Sequence, residues 1–182
     1  LLSGAFQFGA ENRGTEKEFS YYRFCLNVGL VIDAILVAIF IVWSRKMSFS
    51  LPAAKPYIIA IVPLLLLEYA MNLLLTILRC ESRIHDYAKI LNRNTLLLAL
   101  GTCAGAVFGI KGVITGRYLA YAISLLQVIL YTKKEIRRMF IVPKIKWRET
   151  KTLWHYSLFT GASSALNCML YLLDVSMIAA LL

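Results

Sequence analysis

Four apolar runs of 16 to 22 residues, separated by short links that carry most of the charge, constrain this chain more than any other feature. They are Leu26–Trp43, Tyr57–Leu78, Thr95–Ile110 and Val113–Tyr131. The hydrocarbon core of a bilayer is about 30 Å thick, so a spanning helix needs roughly 20 mostly apolar residues. A soluble domain could reach 59% hydrophobic and 16% charged residues by building a very apolar core, against about half and a quarter on average. It would not sort its charges into clusters between runs of this length. The expected fold class is therefore all-α, a polytopic transmembrane helix bundle.

The chain opens with Leu1–Leu2 in an apolar segment and closes with Leu181–Leu182 in another, and it starts without Met. It is accordingly expected to be a piece of a longer protein, with a partial span at each end of the four complete ones. Residues 9–15, GAENRGT, read as a turn. Thr15 followed by Glu18 fits a capping box, in which each side chain satisfies a free N–H at a helix start, and the helix then runs from Glu16 to about Ser44. A link with Pro52 and Pro56 follows. Pro63 predicts a kink in the next span, as membrane helices tolerate. Gly101, Gly105 and Gly109 recur every four residues, the small-residue spacing that lets helices approach closely. Lys111–Gly112 reads as a tight turn, and the last span is expected from about Thr152.

Sorting the basic residues by link tests this threading. Links 9–24, 79–94 and 132–151 hold 3, 4 and 8, which is 15 of the chain's 20 Lys and Arg; links 44–56 and 111–117 hold the other 5. The rich and poor links alternate, and the positive-inside rule puts the rich set in the cytoplasm. The net charge of +10 is then a topology signal, and nucleic-acid binding is not indicated, since no basic stripe with interleaved aromatics stands apart from a membrane boundary. Trp43, Tyr57, Tyr131, Trp147 and Trp154 fall near span ends as an aromatic belt does, and the basic link 132–151 is suited to anionic lipid headgroups.

Ionisable residues are costly in hydrocarbon and usually face a bundle interior or a hydrated cavity. Residues at i, i+4, i+7 and i+11 share one helix face. On that spacing Glu68, Asn72, Thr76 and Arg79 form one stripe; Arg117, Tyr121, Ser124 and Tyr131 a second; Ser163, Asn167, Tyr171 and Asp174 a third. Interhelical hydrogen bonds would explain any one residue, whereas stripes on three helices favour a shared cavity. Arg117 also has the option of reaching the outer interface. Asp33 shares its face with Gly29 and is equally readable as a helix contact. The four cysteines show no metal-ligand spacing and read as small buried hydrophobes. His85 and His155 lie in or beside links and read as solvated. No phosphate loop, GxSxG, HExxH or paired acidic motif is present, so the chain does not read as an enzyme, and no metal site or cofactor is expected.

The order of these features resembles the polysaccharide-transport branch of the multidrug/oligosaccharidyl-lipid/polysaccharide exporter superfamily, the Wzx-type flippases. The resemblance rests on GAENRGTEKE leading into a long helix, on the link with Arg83 and Ala88 before a span ending in Gly109-Ile110-Lys111-Gly112, on the long basic link, and on Trp154-His155-Tyr156-Ser157 followed by Leu173-Asp174. It covers the whole chain. It implies the end of span two to span seven of a transporter with 12 or 14 spans: an N-terminal bundle over 1–131, a basic cytoplasmic linker over 132–151, and the first span of a second bundle over 152–182. It implies alternating access around a central cavity in the cytoplasmic (inner) membrane, with a lipid-linked oligosaccharide as cargo. Polysaccharide assembly proteins would be further partners. Arg117, Arg79, Asn72, Tyr121 and Asn167 are the expected substrate-binding residues; Glu68, Asp174 and Asp33 are expected to couple H⁺ or Na⁺. Competing readings are a multidrug or lipid II exporter of the same superfamily, a membrane polysaccharide polymerase, and a structural membrane subunit.

Overall fold

In a computed structural model, residues 1–46, 55–143, 145 and 147–181 are described, without side-chain placement for Trp147, Arg148, Cys168, Leu170 and residues 171–181. Pro52, and the side chains of Trp147, Cys168, Tyr171 and Asp174, therefore lie outside the described residues. The described chain is all helical: α1 (Leu2–Glu11), α2 (Glu16–Lys46), α3 (Lys55–Ile61), α4 (Leu64–Cys80), α5 (Ile84–Ala106), α6 (Gly109–Tyr131), α7 (Lys133–Ile141) and α8 (Trp147–Leu181). Among the described residues three helices are long and apolar enough to cross a membrane: Glu16–Lys46, Lys55–Cys80 and Gly109–Tyr131. The protein is a membrane protein. Val31, Ile35, Leu36, Ile39 and Val42 on α2 and Leu119, Leu126 and Leu130 on α6 stay exposed. Such apolar flanks suit hydrocarbon and not water.

The expected Thr95–Ile110 span is not among those three. No helix breaker separates it from the polar stretch before it, so the two merge into α5, whose first half carries Asp86, Lys89 and Arg93. Pro63 does interrupt its span: α3 stops at Ile61 and α4 restarts at Leu64, because proline removes a backbone donor and clashes with the preceding turn. The turn expected at Lys111–Gly112 lies earlier. Gly109 has φ of +72°, the left-handed conformation that glycine takes without steric cost, and Lys111 and Gly112 belong to the first turn of α6. The last long helix starts at Trp147, before the expected Thr152.

The start of α2 departs in detail from a capping box. Glu18 turns back as expected, but its Oε2 accepts from the Gly14 N–H at 2.8 Å. The Thr15 hydroxyl donates to the Asn12 carbonyl at 2.6 Å. The end of α4 is a Schellman motif: Arg83 N–H reaches the Leu78 carbonyl at 2.9 Å and Ser82 N–H the Arg79 carbonyl at 3.1 Å. Ser82 takes the left-handed φ of 58° that this closure demands.

The buried core lies where α1, α2 and α4 meet and draws on α5 to α8. Tyr22, Cys25, Leu73, Ile77, Leu78, Ile90, Val128, Met139 and Leu153 form its centre. α5 and α6 pair closely along their length. A Cβ on Gly101 would sit 2.8 Å from the Gly116 carbonyl oxygen, and Gly105 and Gly112 press against each other's backbone in the same way. Gly29 accommodates Tyr69 of α4, whose hydroxyl donates to the Cys25 carbonyl at 2.7 Å. The helix-contact reading of the Asp33–Gly29 face therefore holds at Gly29.

Candidate functional site: a polar cleft along α4

The stripe on α4 opens into a cleft of about 350 Å³ bounded by Leu2, Ser3 and Phe6 of α1, Tyr87 and Leu91 of α5 and Tyr156 of α8, with Asn72, Thr76 and Arg79 on its α4 wall. Their spacing of four and three residues puts these polar groups on one side of a helix whose other sides, Leu73, Leu74, Ile77 and Leu78, are buried. Thr76 spends its hydroxyl on the Asn72 carbonyl at 2.8 Å, and the Asn72 amide stands with Ser3, Tyr87 and Tyr156 among the cleft's neutral hydrogen-bonding groups. The Arg79 guanidinium lies 4.7 Å from the Phe6 ring centre and 5.5 Å from that of Tyr87. These stacking contacts position the charge at the basic end of the cleft.

One stripe position up, Glu68 and Arg117 both interact electrostatically with the phenol of Tyr121. Residues from the first and second stripes thus come together between α4 and α6. Arg117 is exposed and Tyr121 half-buried. Asp33 lies elsewhere, between a cleft of about 200 Å³ with Tyr69, Trp154 and Ser157 and an apolar one of about 370 Å³ with Phe40 and Trp43. Trp154 accordingly packs between helices, whereas Trp43 is exposed as an interfacial residue would be. Asn167 and Ser163 are exposed on α8 and do not line the α4 cleft. Asp174 falls outside the described side chains. Cys25 and Cys80 are buried as expected and Cys103 is exposed; His85 and His155 are both exposed.

The cleft's aromatic residues could not be assigned from helical spacing, because Phe6, Tyr87 and Tyr156 come from three different helices. A cation stacked on aromatics beside an amide offers charge-assisted hydrogen bonds to a phosphate oxygen and flat apolar faces for sugar rings.

At one end of the bundle the three basic links meet. Arg13 donates to Ser82 Oγ at 2.7 Å and to the Glu81 carbonyl at 2.8 Å. Lys17 pairs with Glu149 at 2.8 Å. Arg23 donates to the Val142 carbonyl at 3.0 Å. At the opposite end Lys55 donates to the Arg45 carbonyl at 2.7 Å. The structure therefore puts on one side the links that the charge count groups together. No family model, curated protein or solved structure matches this chain.

Proposed function

We propose that the chain belongs to a transporter that flips polyprenyl-pyrophosphate-linked oligosaccharides across the cytoplasmic membrane, with the basic links in the cytoplasm, within a two-bundle transporter of 12 or 14 spans. The observation that carries this reading is the α4 cleft: Asn72 and a stacked Arg79 beside Phe6, Tyr87 and Tyr156 on an otherwise apolar helix. A purely structural bundle has little use for a cation displayed on aromatic faces within a cleft. Arg79 would hold the pyrophosphate, with Arg117 as a second cation. Glu68, which shares Tyr121 with Arg117, is the carboxylate best placed to carry a coupling H⁺ or Na⁺, with Asp33 on its separate cleft as a second candidate.

Expression of the full-length protein in cells lacking their own oligosaccharide flippase is expected to restore surface polysaccharide when the repeat unit matches. Glu68→Gln is expected to abolish most of that restoration at unchanged membrane abundance. Full restoration by Glu68→Gln would remove the coupling role. Drug resistance without surface polysaccharide would point to an exporter of the same general architecture.

A further inference from the structure

The basic end of the bundle contains a buried carboxylate group that the transport reading does not use. Glu135, in the first turn of α7, is 7% exposed. Its Oε1 accepts from Arg83 Nη1 at 3.3 Å, while its Oε2 is buried with no hydrogen-bond partner. Glu81, at the C-cap of α4, is its acidic neighbour. The two acids sit at opposite ends of helix dipoles. An anion is stabilised at the N-terminus of α7 and destabilised at the C-terminus of α4. Two carboxylates sharing a partly desolvated site do not both ionise readily.

The surroundings sharpen the asymmetry. From α2, Glu18 adds a third carboxyl, buried and held by the Tyr22 hydroxyl at 2.9 Å and the Gly14 N–H at 2.8 Å. Arg79 and Cys80 of α4 and Arg13 act on that same corner. Arg83 divides its charge between Asp86 at 2.8 Å and Glu135 at 3.3 Å. On α7, Arg138 stacks 5.7 Å from the Phe19 ring centre of α2.

We propose that Glu81 and Glu135 form a proton-binding site in which Glu81 holds the proton and donates it to the unpartnered Glu135 oxygen, so that α7 is latched more tightly to the bundle while the site is protonated. Loss of the proton to water leaves two facing carboxylates and weakens the latch. Burial and the charge of Glu135 push the Glu81 carboxyl up to about 7, which puts the transition in the physiological range. When α7 is undocked Glu81 regains an ordinary carboxylate pKa, so the docked state binds more protons. Docking is strongest at acidic pH, weakens as pH rises from about 4.5 towards about 7, and is flat above that. The inference does not depend on the transport reading.

The test is hydrogen exchange of the α7 amides in the purified full-length protein in lipid nanodiscs, corrected for intrinsic exchange rates. Protection is expected to fall on the order of tenfold between about pH 5 and about pH 7.5. Glu81→Gln supplies a donor that does not titrate and is expected to flatten that dependence. Glu135→Gln removes the neighbouring charge and is expected to move it to lower pH. A wild-type protein with no pH dependence would overturn the proposal, as would variants that keep the wild-type slope. If Glu81→Gln fails to fold, the Glu135→Gln shift alone decides.

Discussion

Valine at Gly105 or Gly116 is expected to split the α5–α6 hairpin. Each of these glycines presses on the backbone of the facing helix, Gly105 on Gly112 and Gly116 on Gly101, at a separation that leaves no room for a Cβ. A flexible side chain could swing away from an intruding methyl; a carbonyl fixed in a helical hydrogen bond cannot. The helices would have to part, losing close packing along much of their length. In a membrane that packing supplies much of the association energy, because lipid is as apolar as the side chains. Overpacking typically costs about 1–3 kcal/mol, and a backbone contact belongs at or above the top of that range. The unfolding temperature of the purified protein is expected to drop by roughly 6–12 °C, from about 2–4 °C per kcal/mol for a chain of this size. Gly161→Ala serves as the control. Nothing lies within 4 Å of a Cβ there, and alanine is the better helix former by about 1 kcal/mol, so stability should hold or rise. Equal losses at Gly161 and Gly105 would refute the close-approach account.

Arg79→Ala is expected to lower the proposed transport on the order of tenfold, through loss of a charge-assisted hydrogen bond to phosphate. Arg79→Lys should recover part of it. Lysine restores the charge but neither the planar fork nor the stacking on Phe6 and Tyr87. The same substitutions should alter thermal stability little, because cation–π contacts at exposed sites contribute about 0.5–1 kcal/mol each. Transport measured in the complementation strain, set against the unfolding temperature of the purified variants, separates the two effects. Parallel losses of transport and stability would make Arg79 a packing residue and leave the cleft without its proposed anion site.

Features that depend on local spacing were legible in the sequence. The apolar runs locate α2, the α3–α4 pair and α6, Pro63 locates the break between α3 and α4, and helical spacing of four and three residues puts Asn72, Thr76 and Arg79 on one wall of a cleft. The glycine spacing points to the helix that packs most closely, although the partner, Gly112 and Gly116 of α6, was not named by it. Errors arose where one weak signal competed with another. Lys111–Gly112 looks like a turn, but Gly109 takes the left-handed conformation and closes the hairpin three residues after Ala106. The polar first half of α5 looks like a link because charge clusters usually are, yet nothing in it stops a helix.

α7 was hidden inside a basic link. Its own signal was present: Ile136, Met139 and Phe140 recur at i, i+3 and i+4, and Thr132 stands three residues before Glu135 in the order of a capping box. Glu135 turns instead to Arg83. The Glu81–Glu135 pair was not legible at all, because the two residues are brought together only when the Schellman closure of α4 and the first turn of α7 meet. The aromatic wall of the α4 cleft is hidden from the sequence for the same reason, since Phe6, Tyr87 and Tyr156 come from three helices.

One face of α4 is wet within a bundle whose outer flanks, on α2 and α6, are apolar and exposed. Single cysteines at Asn72 and Leu119, introduced one at a time into the full-length protein with Cys25, Cys80, Cys103 and Cys168 replaced by alanine, test it in native membranes with a charged, membrane-impermeant thiol reagent. Asn72→Cys should be modified and Leu119→Cys, on the exposed apolar flank of α6, should not. Asn72→Cys as inert as Leu119→Cys would mean that the stripe is buried in hydrogen bonds between helices, and the cleft would no longer support a transport pathway.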